Sequence, residues 1–245
     1  MARVLMPLPD VDFDPTETAV PWRTLTRDGH EIVFATEKGG APPAGDQRLL
    51  DGSLGALGPA DEPRRLYDEM AASPAFTRPI AWSAIEPGEY NGLILPGGHA
   101  PGMRQYLGST VLQDRVAAFW RTGRPVGAIC HGVLVLARAK DPATGKSVLA
   151  GARTTCLPKY MERGAYLMTF WKLGRYYRTY PAYVEDEVKA ALDDAAQFVR
   201  GPLIMKKRGT DSDDVGAFIV EDGRYVSARW PGDAYLFARR FAARL

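Results

Sequence analysis

One run, Pro125-Val126-Gly127-Ala128-Ile129-Cys130-His131-Gly132, constrains the fold of this chain more than any other stretch. Its first part is apolar up to Ile129, as a buried strand is, and the residues from Gly132 through Ala137 continue as an apolar helix. Cys130 stands at the junction. A tight strand-to-helix turn needs slim residues so that its side chain points outward, and Gly127, Ala128 and Gly132 are slim. Strand, nucleophile and helix abut there, which calls for an α/β fold on a parallel sheet.

The rest of the chain fits that reading, because short apolar runs alternate with amphipathic stretches. Arg3 to Met6 opens the sheet. Asp14-Pro15-Thr16-Glu17 is a helix start, with Asp14 as N-cap, Pro15 at the first helical position and Glu17 at capping-box spacing; Gly29 ends the helix. Glu31 to Thr36 is the second strand, and Gly39 to Pro59 reads as a long loop. A helix from Glu62 to about Ala72 precedes the buried strand Leu93-Ile94-Leu95, which runs into Pro96-Gly97-Gly98-His99-Ala100-Pro101-Gly102. A helix from about Thr110 to Arg121 leads to the elbow. Beyond it, Asp141 to Lys146 is hairpin-like and Gly151 to Cys156 reads as a strand. Ala217 to Val220 and Tyr225 to Ala228 flank an Asp222-Gly223 pair that favours a tight hairpin, and a last helix begins near Pro231. The expectation is a single domain over 1–245, with a helical and aromatic insertion at about 159–202.

Composition removes whole classes of function. Thirty-one Lys and Arg against twenty-nine Asp and Glu leave a formal charge of +2, too weak a field to argue for nucleic acid or a membrane surface. The segment from Lys159 to Pro202 mixes Tyr166, Phe170, Trp171, Tyr176, Tyr177 and Tyr180 with Arg163, Lys172, Arg175 and Arg178. Such mixtures can clamp nucleic acid. At near-zero net charge, aromatics packing an insertion over the sheet are the better reading. No apolar run suits a signal peptide or a bilayer span, so a cytoplasmic protein binding a small molecule is expected. Two cysteines, Cys130 and Cys156, make no disulfide framework, and His30, His99 and His131 show no zinc-site spacing. No metal is expected, and chelators should leave any activity intact.

Only the thiolate of a cysteine is a nucleophile, and the partial positive charge of a helix N-terminus lowers a thiol pKa of about 8.5. Cys130 is therefore expected to react with iodoacetamide well below that pH while Cys156 resists. Most cysteines are buried and inert. His131 favours the reactive reading, since an elbow residue lies outside the helix and both side chains can face one cavity.

Pro96-Gly97-Gly98-His99 after one strand, Ala128-Ile129-Cys130-His131-Gly132 after the next and Glu17 behind the first strand together resemble the ThiJ/PfpI superfamily. The resemblance runs over nearly the whole chain and is nearest the branch of heat-inducible chaperone and glyoxalase III proteins. It implies a three-layer sandwich, a mostly parallel flavodoxin-like sheet with helices on both faces, and a homodimer that needs no cofactor. It also implies a Cys-His-acid triad, for which Glu162, thirty-two residues after Cys130, is the candidate acid. Glu17 would sit beside the thiol and shuttle protons. The amides of Gly98 and His131 would stabilise an oxyanion, with His99 lining the pocket. A class I glutamine amidotransferase needs a histidine far downstream, and none follows His131.

The activity implied is attack of Cys130 on a small reactive carbonyl, as in conversion of methylglyoxal to lactate, or deglycation. A stress-responsive chaperone or redox sensor, with Cys130 oxidised to a sulfinate, is the alternative; a cysteine hydrolase or peptidase is a further one.

Overall fold

Runs that are buried on both faces must lie at the centre of a sheet, and Gly92–Leu95 and Val126–Ile129 are buried at every position. The computed structural model describes residues 1–178, 180–203 and 207–245. The chain opens with β1 (Arg3–Pro7), β2 (Val11–Phe13), α1 (Pro15–Arg27), β3 (Glu31–Thr36), β4 (Ala44–Gly45) and α2 (Gln47–Leu50). It continues through α3 (Asp61–Ala71), α4 (Pro74–Thr77), β5 (Ile80–Ala81), β6 (Gly92–Leu95), α5 (Met103–Gly108) and α6 (Thr110–Trp120). Then follow β7 (Val126–Ile129), α7 (Val133–Arg138), α8 (Lys159–Leu173), α9 (Val184–Ala190), β8 (Ile219–Asp222), β9 (Tyr225–Ala228) and α10 (Ala234–Ala242).

The main sheet has seven strands in the order β5-β3-β1-β6-β7-β9-β8, parallel throughout except for the β8–β9 hairpin. From β1 the chain crosses through α1 to β3 on one side, whereas from β6 it crosses through α6 to β7 on the other. Right-handed crossovers in opposite directions put α1 and α6 on opposite faces. Accordingly α1 packs with α3 and α10, while α5, α6 and α9 gather around α7. The reversal between β1 and β6 leaves a crevice at the carboxyl ends of the strands, where ligands bind in open α/β sheets. Both the Gly97 loop and the elbow lie there.

Several sequence expectations change. Gly39 to Pro59 is not a bare loop, since β4 pairs with β2 in a small second sheet and α2 follows. Gly151 to Cys156 forms no strand; only an isolated bridge joins Thr154 to Phe198, because Thr155 donates instead to the Ser227 hydroxyl, 2.9 Å away. The segment 159–202, whose Thr179 lies outside the described residues, folds as α8, α9 and a short 3-10 turn. Its aromatics do not all pack inward: Tyr177 is buried, but Phe170 and Trp171 of α8 are exposed.

Candidate active site

Asp14 caps α1 as its position requires, its Oδ1 accepting from the amides of Thr16 (2.8 Å) and Glu17 (3.0 Å). The reciprocal half of the capping box is missing. The Asp14 amide donates to the Gly97 carbonyl at 2.9 Å, and Glu17 Oε2 accepts from the Gly97 amide at 2.9 Å. Glu17 is thus turned from its own helix end toward the loop after β6 and the elbow after β7. Its side chain is fully buried and close enough to Cys130 for each to affect the other's titration, while its Oε1 makes no hydrogen bond.

Cys130 adopts φ 77°, a left-handed conformation that costs an L-residue about 1–2 kcal/mol. The packed elbow imposes it: a Cβ on Gly132 would come to 2.1 Å from the Leu95 carbonyl oxygen, and one on Gly97 to 2.9 Å from the His131 nitrogen. Asp12 is the other non-glycine residue with positive φ among the described residues. Its carboxylate holds the Gly102 amide at 2.7 Å, folding the loop after β6 against the β2 segment. Gly98 packs on that segment, beside the Asp12 carbonyl and the Asp14 amide.

The Cys130 sulfur is 4% exposed and 3.9 Å from His131 Nδ1. Burial first, then the charges of Glu17 and Asp14, push the thiol up, and only the His131 backbone amide opposes them. This overturns the expectation of a lowered thiol pKa. The helix behind the elbow is six residues long and begins after a 3-10 turn, so it offers a small dipole against two carboxyls in a dry site. Burial and Asp14 also hold Glu17 well above the usual carboxylate range, and burial raises Asp14 to about 6. Cys130 and Glu17 therefore titrate as one coupled pair. Iodoacetamide labelling of Cys130 should keep climbing between pH 7 and 10, past the roughly 8.5 of a free thiol. A rate that levels off below pH 8 would show the thiolate forming first. Cys156, fully buried with its thiol also pushed up by burial, should lag at every pH.

His131 is buried, with its Nε2 making no hydrogen bond, and its ring lies 4.8 Å from that of His99. Burial lowers both imidazoles, His99 to about 4, so both are neutral at neutral pH. Glu162 on α8 is 1% exposed and is no surface glutamate. Its oxygens accept from Arg178 (3.0 Å) and from the Val184 amide (2.9 Å), and burial raises its pKa against both. One donor atom each of His99, His131 and Glu162 lie within 4.8 Å of one another. Glu162 has therefore reached the imidazoles, although its hydrogen bonds go elsewhere. The spacing of the histidines in the sequence gave no sign of this cluster: His99 and His131, scattered in sequence, are adjacent in space, whereas His30 lies elsewhere, accepting from the Ala2 amide.

Residues to which the sequence reading gave no part in the site complete the surroundings. Arg178 stacks at 3.7 Å on the Tyr183 ring while holding Glu162, and Tyr177 donates to buried Asp46 at 2.8 Å beside His99. The buried Tyr106 hydroxyl makes no hydrogen bond and lies close enough to Glu17 to feel its charge. The tyrosines of 159–202 were the only hint in the sequence, and nothing marked Asp12. No helix among the described residues is long and apolar enough to cross a membrane.

Comparison with known proteins agrees with this architecture. A deglycase of Pyrococcus abyssi is 26% identical over 229 residues, covering 94% of this chain and 91% of that protein. Deglycase PfpI of Pyrococcus furiosus is 23% identical over 231 residues, covering 94% and 92%. The crystal structure of glyoxalase III from Candida albicans superposes with a TM-score of 0.72 at 20% identity, covering 100% of this chain and 97% of that one, a likeness of fold. A family model described as ThiJ/PfpI family-like matches residues 8–202, from the end of β1 through the elbow and α9. The chain belongs to the ThiJ/PfpI-like family.

Proposed function

We propose that the protein is a cofactor-independent enzyme that uses Cys130 to attack small reactive carbonyls, in the manner of a glyoxalase III or a deglycase. The observation that carries this reading is the strained, buried Cys130 with the buried Glu17 carboxyl beside it, which burial and Asp14 hold well above the usual carboxylate range. A nucleophile and a neutral carboxyl side by side can add to a carbonyl and then move a proton between adjacent carbons. The deglycase relatives support the class, and the burial of Cys130, Glu17 and His131 favours a small substrate.

With methylglyoxal, the sulfur bonds to the aldehyde carbon and the thiol proton passes to the aldehyde oxygen, giving a hemithioacetal. Glu17 gives its proton to the ketone oxygen and, now a carboxylate, takes the hydrogen of the aldehyde carbon as a proton, forming an enediol; it returns that proton to the neighbouring carbon and takes the hydroxyl proton of the first, so the first carbon ends as a thioester and the ketone as an alcohol. Water then cleaves the thioester, releasing lactate and the thiol. His131 Nδ1, 3.9 Å from the sulfur, is placed to relay the thiol proton, and the amides of Gly98 and His131 would hold the oxyanion. In this scheme Glu162 steers His131 after exchanging one of its present partners.

The test is lactate formation from methylglyoxal by the purified protein without cofactor, with mass spectrometry of acid-quenched samples. Lactate together with a transient adduct on the peptide carrying Cys130 is expected. If neither appears while peroxide readily converts Cys130 to a sulfinate, the site is a redox sensor. That second reading draws on the same protonated Glu17, which would donate equally well to a sulfinate oxygen.

A further inference from the structure

The geometry points to a site for a borderline divalent cation, zinc in the first instance, built from His99, His131 and Glu162 above the reactive cysteine. Two imidazoles and a carboxylate, on the loop after β6, the elbow and α8, bring donor atoms within 4.8 Å of one another. Zinc bonds of about 2.0–2.2 Å would set tetrahedral donors roughly 3.4 Å apart, so closure by about 1.4 Å or less completes the arrangement.

Two of the donors, His131 and Glu162, have capacity to spare. His131 Nε2 is buried without a hydrogen bond, an arrangement that burial otherwise penalises. Each Glu162 oxygen accepts one hydrogen bond and keeps a second lone pair. Three protein ligands leave a fourth position for water. Two imidazoles select zinc, cobalt or nickel over magnesium and calcium, which prefer all-oxygen shells. Arg178, held on the same carboxylate, places a positive charge beside the ion. Binding should therefore be about micromolar, weaker than in a closed structural site, and reversible.

The ion would act as a brake. Ligation through Nε2 leaves the ring proton on Nδ1 and occupies Glu162, so the imidazole beside Cys130 could no longer accept the thiol proton. Binding itself does not depend on the activity proposed above, so its test stands apart from it.

The experiment is calorimetric titration of the chelator-treated, dialysed protein with zinc sulfate at neutral pH, with cobalt as a spectroscopic probe. One zinc per chain is expected, with His99→Ala and His131→Ala each weakening it at least tenfold and Cys130→Ala leaving it within about threefold. Cobalt should give visible ligand-field bands without a thiolate charge-transfer band. Absence of binding up to millimolar zinc would overturn the proposal. So would affinity unchanged in the histidine variants, or loss of binding in Cys130→Ala, which would place the ion on the thiol. Should His131→Ala fail to fold by circular dichroism, the partly exposed His99 carries the comparison alone.

Discussion

Glu17→Gln should lower turnover by about a hundredfold or more, on a substrate whose conversion requires Cys130, while making the protein more stable at neutral pH. The two effects share one cause. Glu17 is buried and holds its proton in the folded chain, whereas the same side chain ionises in the unfolded chain above about pH 4.3. Folding therefore takes up a proton, so the stability contributed by neutral Glu17 is full below the ordinary carboxylate range and is lost as pH rises toward its folded value. Gln is neutral at every pH. Its amide oxygen can accept from the Gly97 amide as Oε2 does now, and its nitrogen can face the sulfur, but it cannot carry a proton between carbons. Urea unfolding should find the variant and wild type alike near pH 4, with the variant pulling ahead toward pH 8. Wild-type turnover in Glu17→Gln would remove the proton shuttle. A variant that falls below wild type in stability as pH rises would show instead that Glu17 is ionised in the folded protein.

Arg229→Met should cost about 3–5 kcal/mol of stability, the scale of leaving a buried charge without its partner. Arg229 and Asp233 are both fully buried, four residues apart across the turn into α10, with Nε to Oδ2 at 2.9 Å and Nη2 to Oδ1 at 3.0 Å. The same carboxylate accepts from the amides of Phe218 and Arg229, and the guanidinium also donates to the carbonyls of Pro202 and Gly216. One ion pair thus ties together the chain before β8, the turn after β9 and the end of the helical segment. Burial raises the Asp233 carboxyl in spite of Arg229, so the pair does not fully repay its own desolvation. For that reason Arg229→Met/Asp233→Leu should recover a large part of the loss, because an apolar pair leaves no stranded charge. A single variant less than about 1 kcal/mol below wild type in urea unfolding would mean that water reaches Asp233 there.

The sequence by itself determined the elements that local chemistry specifies. Apolar runs without alternation marked β1, β6 and β7 as buried strands, Asp14-Pro15 fixed the start of α1, and the slim residues around Cys130 fixed the elbow. Glycine at 132 and at 97 is what the packing of that elbow demands. Because the backbone directs these features over a few residues, a linear reading reaches them. Everything that depends on distant segments meeting was decided by the tertiary structure. The spacing of Glu17 fitted a capping box, yet the carboxyl turns to Gly97, because the loop after β6 claims the Asp14 amide and offers its own. A helix terminus argued for a lowered thiol pKa, but burial beside two carboxyls outweighs a six-residue helix. Three residues scattered from 99 to 162 converge because the strand ends of β6 and β7 are neighbours and α8 closes over them. Burial and through-space charge are properties of the folded chain, and they set the chemistry of every acid and imidazole in this site.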